Sequence, residues 1–145
     1  MGFNAKWDRW ILASLTKSFH DASLGAATKI YPNEEVNTAS LAAWITLRLG
    51  KPDWTRRQKG HYHAEIDIDV LVSTRRTTNQ FNSADFTGAI TAWLDGPIQL
   101  WSYGEPSPEV LGCFDLGIIT ENEFPMLDGI EQSSVQTLAT IDLTE

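Results

Sequence analysis

His61-Tyr62-His63-Ala64-Glu65-Ile66-Asp67-Ile68-Asp69-Val70-Leu71-Val72-Ser73 decides the fold of this 145-residue chain. Tyr62, Ala64, Ile66, Ile68, Val70 and Val72 alternate there with His61, His63, Glu65, Asp67, Asp69 and Leu71. Successive side chains of an extended chain point to opposite faces, so a sustained period of two specifies one long strand. Its apolar face belongs to the core and its polar face is presented outward.

On the N-terminal side, the connection Gly50–Gly60 carries Lys51, Trp54, Arg56, Arg57 and Lys59 between two glycines. It predicts a long hairpin with a basic, Trp-bearing tip. Leu41–Leu49 reads as the preceding strand, with Ala43, Ile45, Leu47 and Leu49 on one face, although Leu41–Trp44 alone fits a helix equally well. Ala27–Tyr31 reads as a short strand stopped by Pro32-Asn33. Trp7, Ile11, Leu15 and Phe19 recur every four residues and predict a helix over about Ala5 to Ala22, capped by Asn4 and ended by Leu24-Gly25.

On the C-terminal side, a polar linker from Arg75 to Asn82 precedes a helix over about Ser83 to Leu94. Its apolar face is Phe86, Ile90, Trp93 and Leu94, and Asp95-Gly96-Pro97 stops it. Ile98–Tyr103 reads as a strand, and Val110–Thr120 as another bulged at Gly112 or Gly117. An acidic loop, Glu121–Glu131, leads to a last alternating strand, Val135 to Leu143. The expected fold is α+β: a single mixed, largely antiparallel β-sheet with two main helices packed on one face, in one domain over residues 1–145.

Charge is divided unevenly along the chain. Residues 1–76 hold all 11 basic residues and 8 acids (+3), while residues 77–145 hold 11 acids and no base (−11), giving the formal −8. Opposite-signed halves suit head-to-tail docking between copies, which closes into a ring when the rotation per subunit allows; the alternative is a solvated acidic half. Seven of the 11 bases fall between Arg48 and Arg76, and Arg48, Lys51, Arg75 and Arg76 are expected to extend the hairpin's basic patch. The net charge disfavours sequence-independent DNA binding by a single subunit. Cys113 is the lone cysteine, has apolar neighbours and reads as a buried small hydrophobe. No apolar run approaches a membrane span, and Met1 to Arg9 lacks a signal peptide's apolar core. The expectation is a soluble chain made in a cytoplasm.

The outward row His61, His63, Glu65, Asp67 and Asp69 has the residue types of a metal site. A metal centre also needs ligands converging from other strands, and only His20 remains as a third histidine. Paired carboxylates on a strand meet the spacing of glycoside hydrolases by geometry alone. There is no G-x-S-x-G, Walker loop, G-x-G-x-x-G or C-x-x-C. The expectation is no enzyme, no cofactor and no catalytic or metal residues. Trp54, Arg56 and Arg57 are instead of the residue types enriched at interface hot spots, and they also stack on single-stranded nucleic acid.

Tyr62-His63-Ala64-Glu65-Ile66-Asp67-Ile68-Asp69-Val70-Leu71-Val72 resembles the central strand of lambda-type phage tail terminator proteins, the U-protein-like family. There it likewise follows a polar loop and reads aromatic-x-Ala-Glu-aliphatic-x-Ile-acid-Val. The N-terminal helix, the middle helix and the acidic loop before a last alternating strand fit the same pattern. The resemblance covers most of the chain in pattern and about ten residues in detail; the basic hairpin tip has no counterpart in it. It implies a structural virion protein without catalytic activity, located in the virion tail and assembled in the host cytoplasm. Copies would form a ring, a hexamer, that caps the tail tube, stops its polymerisation and offers the joining surface to the head. The implied partners are copies of itself, the tail tube protein, a head–tail connector or neck protein, and double-stranded DNA passing through the lumen without specific binding; no membrane is involved.

On this reading Trp54, Arg56, Arg57, Lys59, Arg75 and Arg76 are candidates for a subunit or tube interface. Glu65, Asp67 and Asp69 are candidates for an acidic lumen or intersubunit face. The alternatives are another neck or tail-completion protein, and a small-molecule or metal-binding α+β module using the His61/His63/Glu65 face. A single-strand nucleic-acid binder using the Trp54–Lys59 tip is a third.

Overall fold

The computed structural model describes residues 2–75, 82–103 and 107–144. The first helix, α1 (Gly2–Asp21), is followed by β1 (Thr28–Ile30), β2 (Ala43–Leu49), β3 (Asp53–Gln58) and β4 (His61–Arg75). Then come α2 (Asn82–Asp95), β5 (Gln99–Ser102), β6 (Glu109–Cys113), β7 (Asp115–Leu116), β8 (Thr120–Leu127) and β9 (Ile130–Thr144). The fold is α+β, as expected. Seven strands form one mixed sheet, in which β1 runs parallel to β2 and the other pairings are antiparallel; β5 and β6 form a separate two-stranded sheet.

The sheet is organised on β4. Tyr62 faces the core half-buried, and Ala64, Ile66, Ile68, Val70 and Val72 are buried, as the alternation requires. One edge of β4 pairs with β9 along all 15 residues, from His61↔Thr144 to Arg75↔Ile130. The other edge is shared by β2, from Ala43↔Thr74 to Leu49↔Ile68, and β3, from Asp53↔Glu65 to Gln58↔His61.

The expected hairpin over Gly50–Gly60 is present, but its connection is mostly strand, and β3 continues the course of β2 along β4. The break falls at Gly50-Lys51-Pro52, where the Gly50 N–H still donates to the Asp67 carbonyl (2.9 Å) but proline has no N–H for the ladder. The turn back into β4 needs only Lys59-Gly60, with Gly60 at φ 79°.

Two further expectations fail for related reasons. Glu121–Glu131 is the end of a hairpin, because Asp128 (φ 53°) and Gly129 (φ 74°) both adopt the left-handed backbone of a two-residue β-turn joining β8 to β9. Val110–Thr120 is two strands in different sheets, β6 on β5 and β7 on β9. The switch is made at buried Phe114, whose N–H donates to the Ile98 carbonyl (2.9 Å). Cys113 beside it is exposed, not buried as its neighbours suggested.

Both helices lie on the apolar face of the sheet. Trp7, Ile11, Leu15 and Phe19 of α1 and Ile90 and Leu94 of α2 are buried with the inward residues of β2, β4 and β9 in a shared core. At roughly 1.5–3 kcal/mol per fully buried large apolar side chain, this stripe drives the helices onto the sheet. Side-chain bonds fix their placement: Trp93 Nε1 donates to Ser18 Oγ (2.9 Å), and the Trp101 N–H donates to Ser14 Oγ (2.9 Å). α1 begins at Gly2, so Asn4 lies within it and not before its start. At its other end Lys29 Nζ donates to the His20 and Ala22 carbonyls (2.7 and 2.6 Å), taking up acceptors that a helix end leaves unpaired. Among the described residues no helix is long and apolar enough to cross a membrane.

Candidate functional site

With the helices on one side, the opposite face of the sheet is open along the His61 half of β4, and cross-strand register sets its contacts. His63 lies opposite Asp142, and its Nδ1 is 2.7 Å from Asp142 Oδ1. Its Nε2 is 3.4 Å from Glu65 Oε1, one pleat along the same strand. Arg57 Nε approaches Asp142 Oδ1 at 3.9 Å. Arg48 lies opposite Asp69 and forms an ion pair with it. Opposite charges facing across a ladder stabilise by a few tenths to about 1 kcal/mol each.

The three carboxylates of the expected acidic face therefore differ. Glu65 sits beside His63 and Asp69 is paired with Arg48. Asp67, opposite Leu138 and just beyond the residues paired with β2, projects into solvent.

The basic residues do not form one patch. Arg56, Arg57 and Lys59 are exposed at the β3–β4 turn, while Arg75 ends β4 at the far side of the sheet. A 15-residue strand separates these ends by roughly 45 Å at about 3.3 Å per residue. The expected convergence fails because the turn bases lie at the His61 end of β4 and Arg75 at its opposite end, beside the start of β2. Arg76 lies outside the described residues.

Arg75 is occupied internally. Its Nε donates to the Leu41 carbonyl and its Nη2 to the Thr38 carbonyl (both 2.8 Å), and the guanidinium lies over the Trp44 ring, 5.4 Å from its centroid. It straps residues 38–42 to the sheet. Trp44 and Ser73, directly opposite each other on this face, are buried at that end.

Trp54 is likewise drawn inward and is not at the turn. Its ring lies 5.5 Å from that of Trp7, which in turn meets Tyr62 at 5.7 Å. Its Nε1 donates to Asp8 Oδ1 (2.5 Å), fastening β3 to α1. Trp54→Phe, which keeps an aromatic ring but removes this donor to a carboxylate, is expected to cost about 1–2 kcal/mol. Urea unfolding checks this through a lower midpoint at unchanged m-value; an unchanged midpoint rejects the fastening role.

Chemically this face is a polar, cross-strand-paired surface. His61 is directed to Thr144 (Nδ1 to Oγ1, 3.4 Å) while His63 is directed to Asp142, so the two histidines engage different residues of β9. Among the described residues no three of His, Cys, Asp and Glu are grouped to hold a metal ion. Neither a scan of the chain against protein-family models nor a comparison with curated proteins returns a match.

Two surfaces lie outside the candidates named above. β8 is exposed along its whole length and presents Phe124, Met126 and Leu127. The Asp128-Gly129 pair is a strong hairpin signal that could have revealed it. The second is an apolar groove of about 770 Å³ on the outer side of α1, lined by Leu12, Ala13, Thr16, Tyr31 and Tyr103. Its members come from three separate segments, so no local pattern announces it.

Proposed function

We propose that this chain is a structural protein of a long-tailed phage that forms a ring, caps the tail tube, ends its polymerisation and joins the tail to the head. The observation that carries the reading is the Tyr62–Val72 strand in its setting. The stretch that resembles a tail terminator's central strand is here the middle of an α+β sheet with both helices on one face. In this reading the work is contact. The partners are other copies, the tube protein, a connector or neck protein, and DNA that passes without specific binding. The exposed Arg56, Arg57 and Lys59 turn is available to meet the tube or an adjoining ring. Asp67 is the carboxylate of the open face best placed to repel phosphate from a lumen.

The test is to image particles produced with and without the gene for this chain, using gold-labelled antibody against it. Label at the head–tail junction, with overlong and headless tails in its absence, is the expected result. Label elsewhere, or normal tails joined to heads without it, rejects the proposal.

A further inference from the structure

Two surfaces left unused by the fold complement each other and lie at opposite edges of the sheet. The α1 groove is apolar at its floor and carries Arg9, Lys17 and His20 on its rim, with Asp21 paired to Lys17. With a volume of about 770 Å³ the groove is a shallow depression open to solvent over most of its extent. Tyr31 brings the groove to the β1 edge. β8 lies on the far side of β9 from β4, at the other edge. All eight of its residues are exposed, with Phe124 at 44 %, Met126 at 42 % and Leu127 at 73 %. Around them stand Glu123 and Asp128, with Glu121 nearby accepting from Thr91 Oγ1 (3.1 Å), and no base occurs anywhere after Arg76 to offset them. An exposed strand with large apolar side chains is an association-prone edge.

We infer that the β8–β9 turn of one copy docks in the α1 groove of the next, with Phe124 and Met126 on the apolar floor and the acids against Arg9 and Lys17. The occupant is a second copy of this chain because the missing complement, apolar and acidic together, is the chain's own opposite edge. Surfaces at opposite edges cannot meet within one molecule, and a contact between two different surfaces is heterologous, propagating from copy to copy and closing into a ring when the rotation per subunit allows. This deepens the ring reading above and rests on it for its role, while the contact itself is testable without a phage.

The full chain with Cys113→Ser is prepared as two versions, Thr16→Cys in the groove and Met126→Cys in the hairpin, and mixed under mild oxidation. The expected product is the mixed disulfide dimer, formed at least roughly tenfold faster than either homodimer, a preference worth about 1.4 kcal/mol. Placing Arg9→Glu/Lys17→Glu on the groove partner should slow it by at least tenfold, and adding Glu123→Lys/Asp128→Lys on the hairpin partner should restore it. Each variant is checked for unchanged cooperative unfolding. Homodimers forming as fast as the mixed dimer, no cross-link at all, or reversal without rescue would overturn the contact. Absence of the cross-link together with label at the head–tail junction rejects this contact and keeps the tail role; the cross-link with label elsewhere does the opposite.

Discussion

Val70→Asp is expected to leave no cooperatively folded protein, whereas Asp67→Thr on the other face of the same strand should change stability by less than about 0.5 kcal/mol. Val70 is fully buried on β4, between β2 and β9, facing the helices. The substitution forfeits roughly 2 kcal/mol of apolar burial and places a carboxylate where the surrounding side chains are apolar. An uncompensated buried charge costs several kcal/mol more. The sum approaches the 5–15 kcal/mol that holds a typical domain together. Circular dichroism and urea unfolding read the outcome directly. A Val70→Asp protein with a sharp transition and a loss under about 2 kcal/mol would contradict this account of the core.

Arg75→Met is expected to cost about 2–4 kcal/mol. The guanidinium donates to two carbonyls of the 38–42 segment and covers Trp44. Hydrogen bonds from charged donors are worth about 1.5–3 kcal/mol each, less what the methionine stem recovers by packing. Arg75→Lys should recover little, because one ammonium cannot reproduce a planar fork directed at two acceptors. Hydrogen exchange supplies an independent readout. The Leu41 N–H, bonded to the Thr38 carbonyl at 3.0 Å, should exchange faster in Arg75→Met while the β4–β9 amides remain protected. Stability within about 0.5 kcal/mol of the parent would show that the strap contributes nothing.

Legibility in the sequence followed the range of the interaction. The helices were readable because four-residue spacing of Trp7, Ile11, Leu15 and Phe19 is a local pattern, and so was the face assignment of β4. The β8–β9 hairpin was also local in its signal, through Asp128-Gly129, but the acids around it suggested a loop. The candidate site was less legible. Arg75 and Trp54 carry the residue types of an interface, and composition cannot distinguish such residues from ones that tie segments of the same chain together. Their internal roles depend on Thr38, Leu41, Trp44, Trp7 and Asp8, which only the folded chain brings into contact.

By itself the sequence determined which side of each long strand faces the core, where the two helices lie, and the α+β class. Those properties follow from side-chain periodicity, which each residue shares with its near neighbours. Only the tertiary structure decided which strands flank β4, that β3 continues β2, and that the chain changes sheets at Phe114. Strand pairing joins residues as distant as His61 and Thr144, and an alternating strand can bury its apolar face beside any other. The same pairing decided the fate of the charge division. Arg48 met Asp69 within its own half, Arg57 met Asp142 from the other, and the cluster of bases was drawn out along the length of β4.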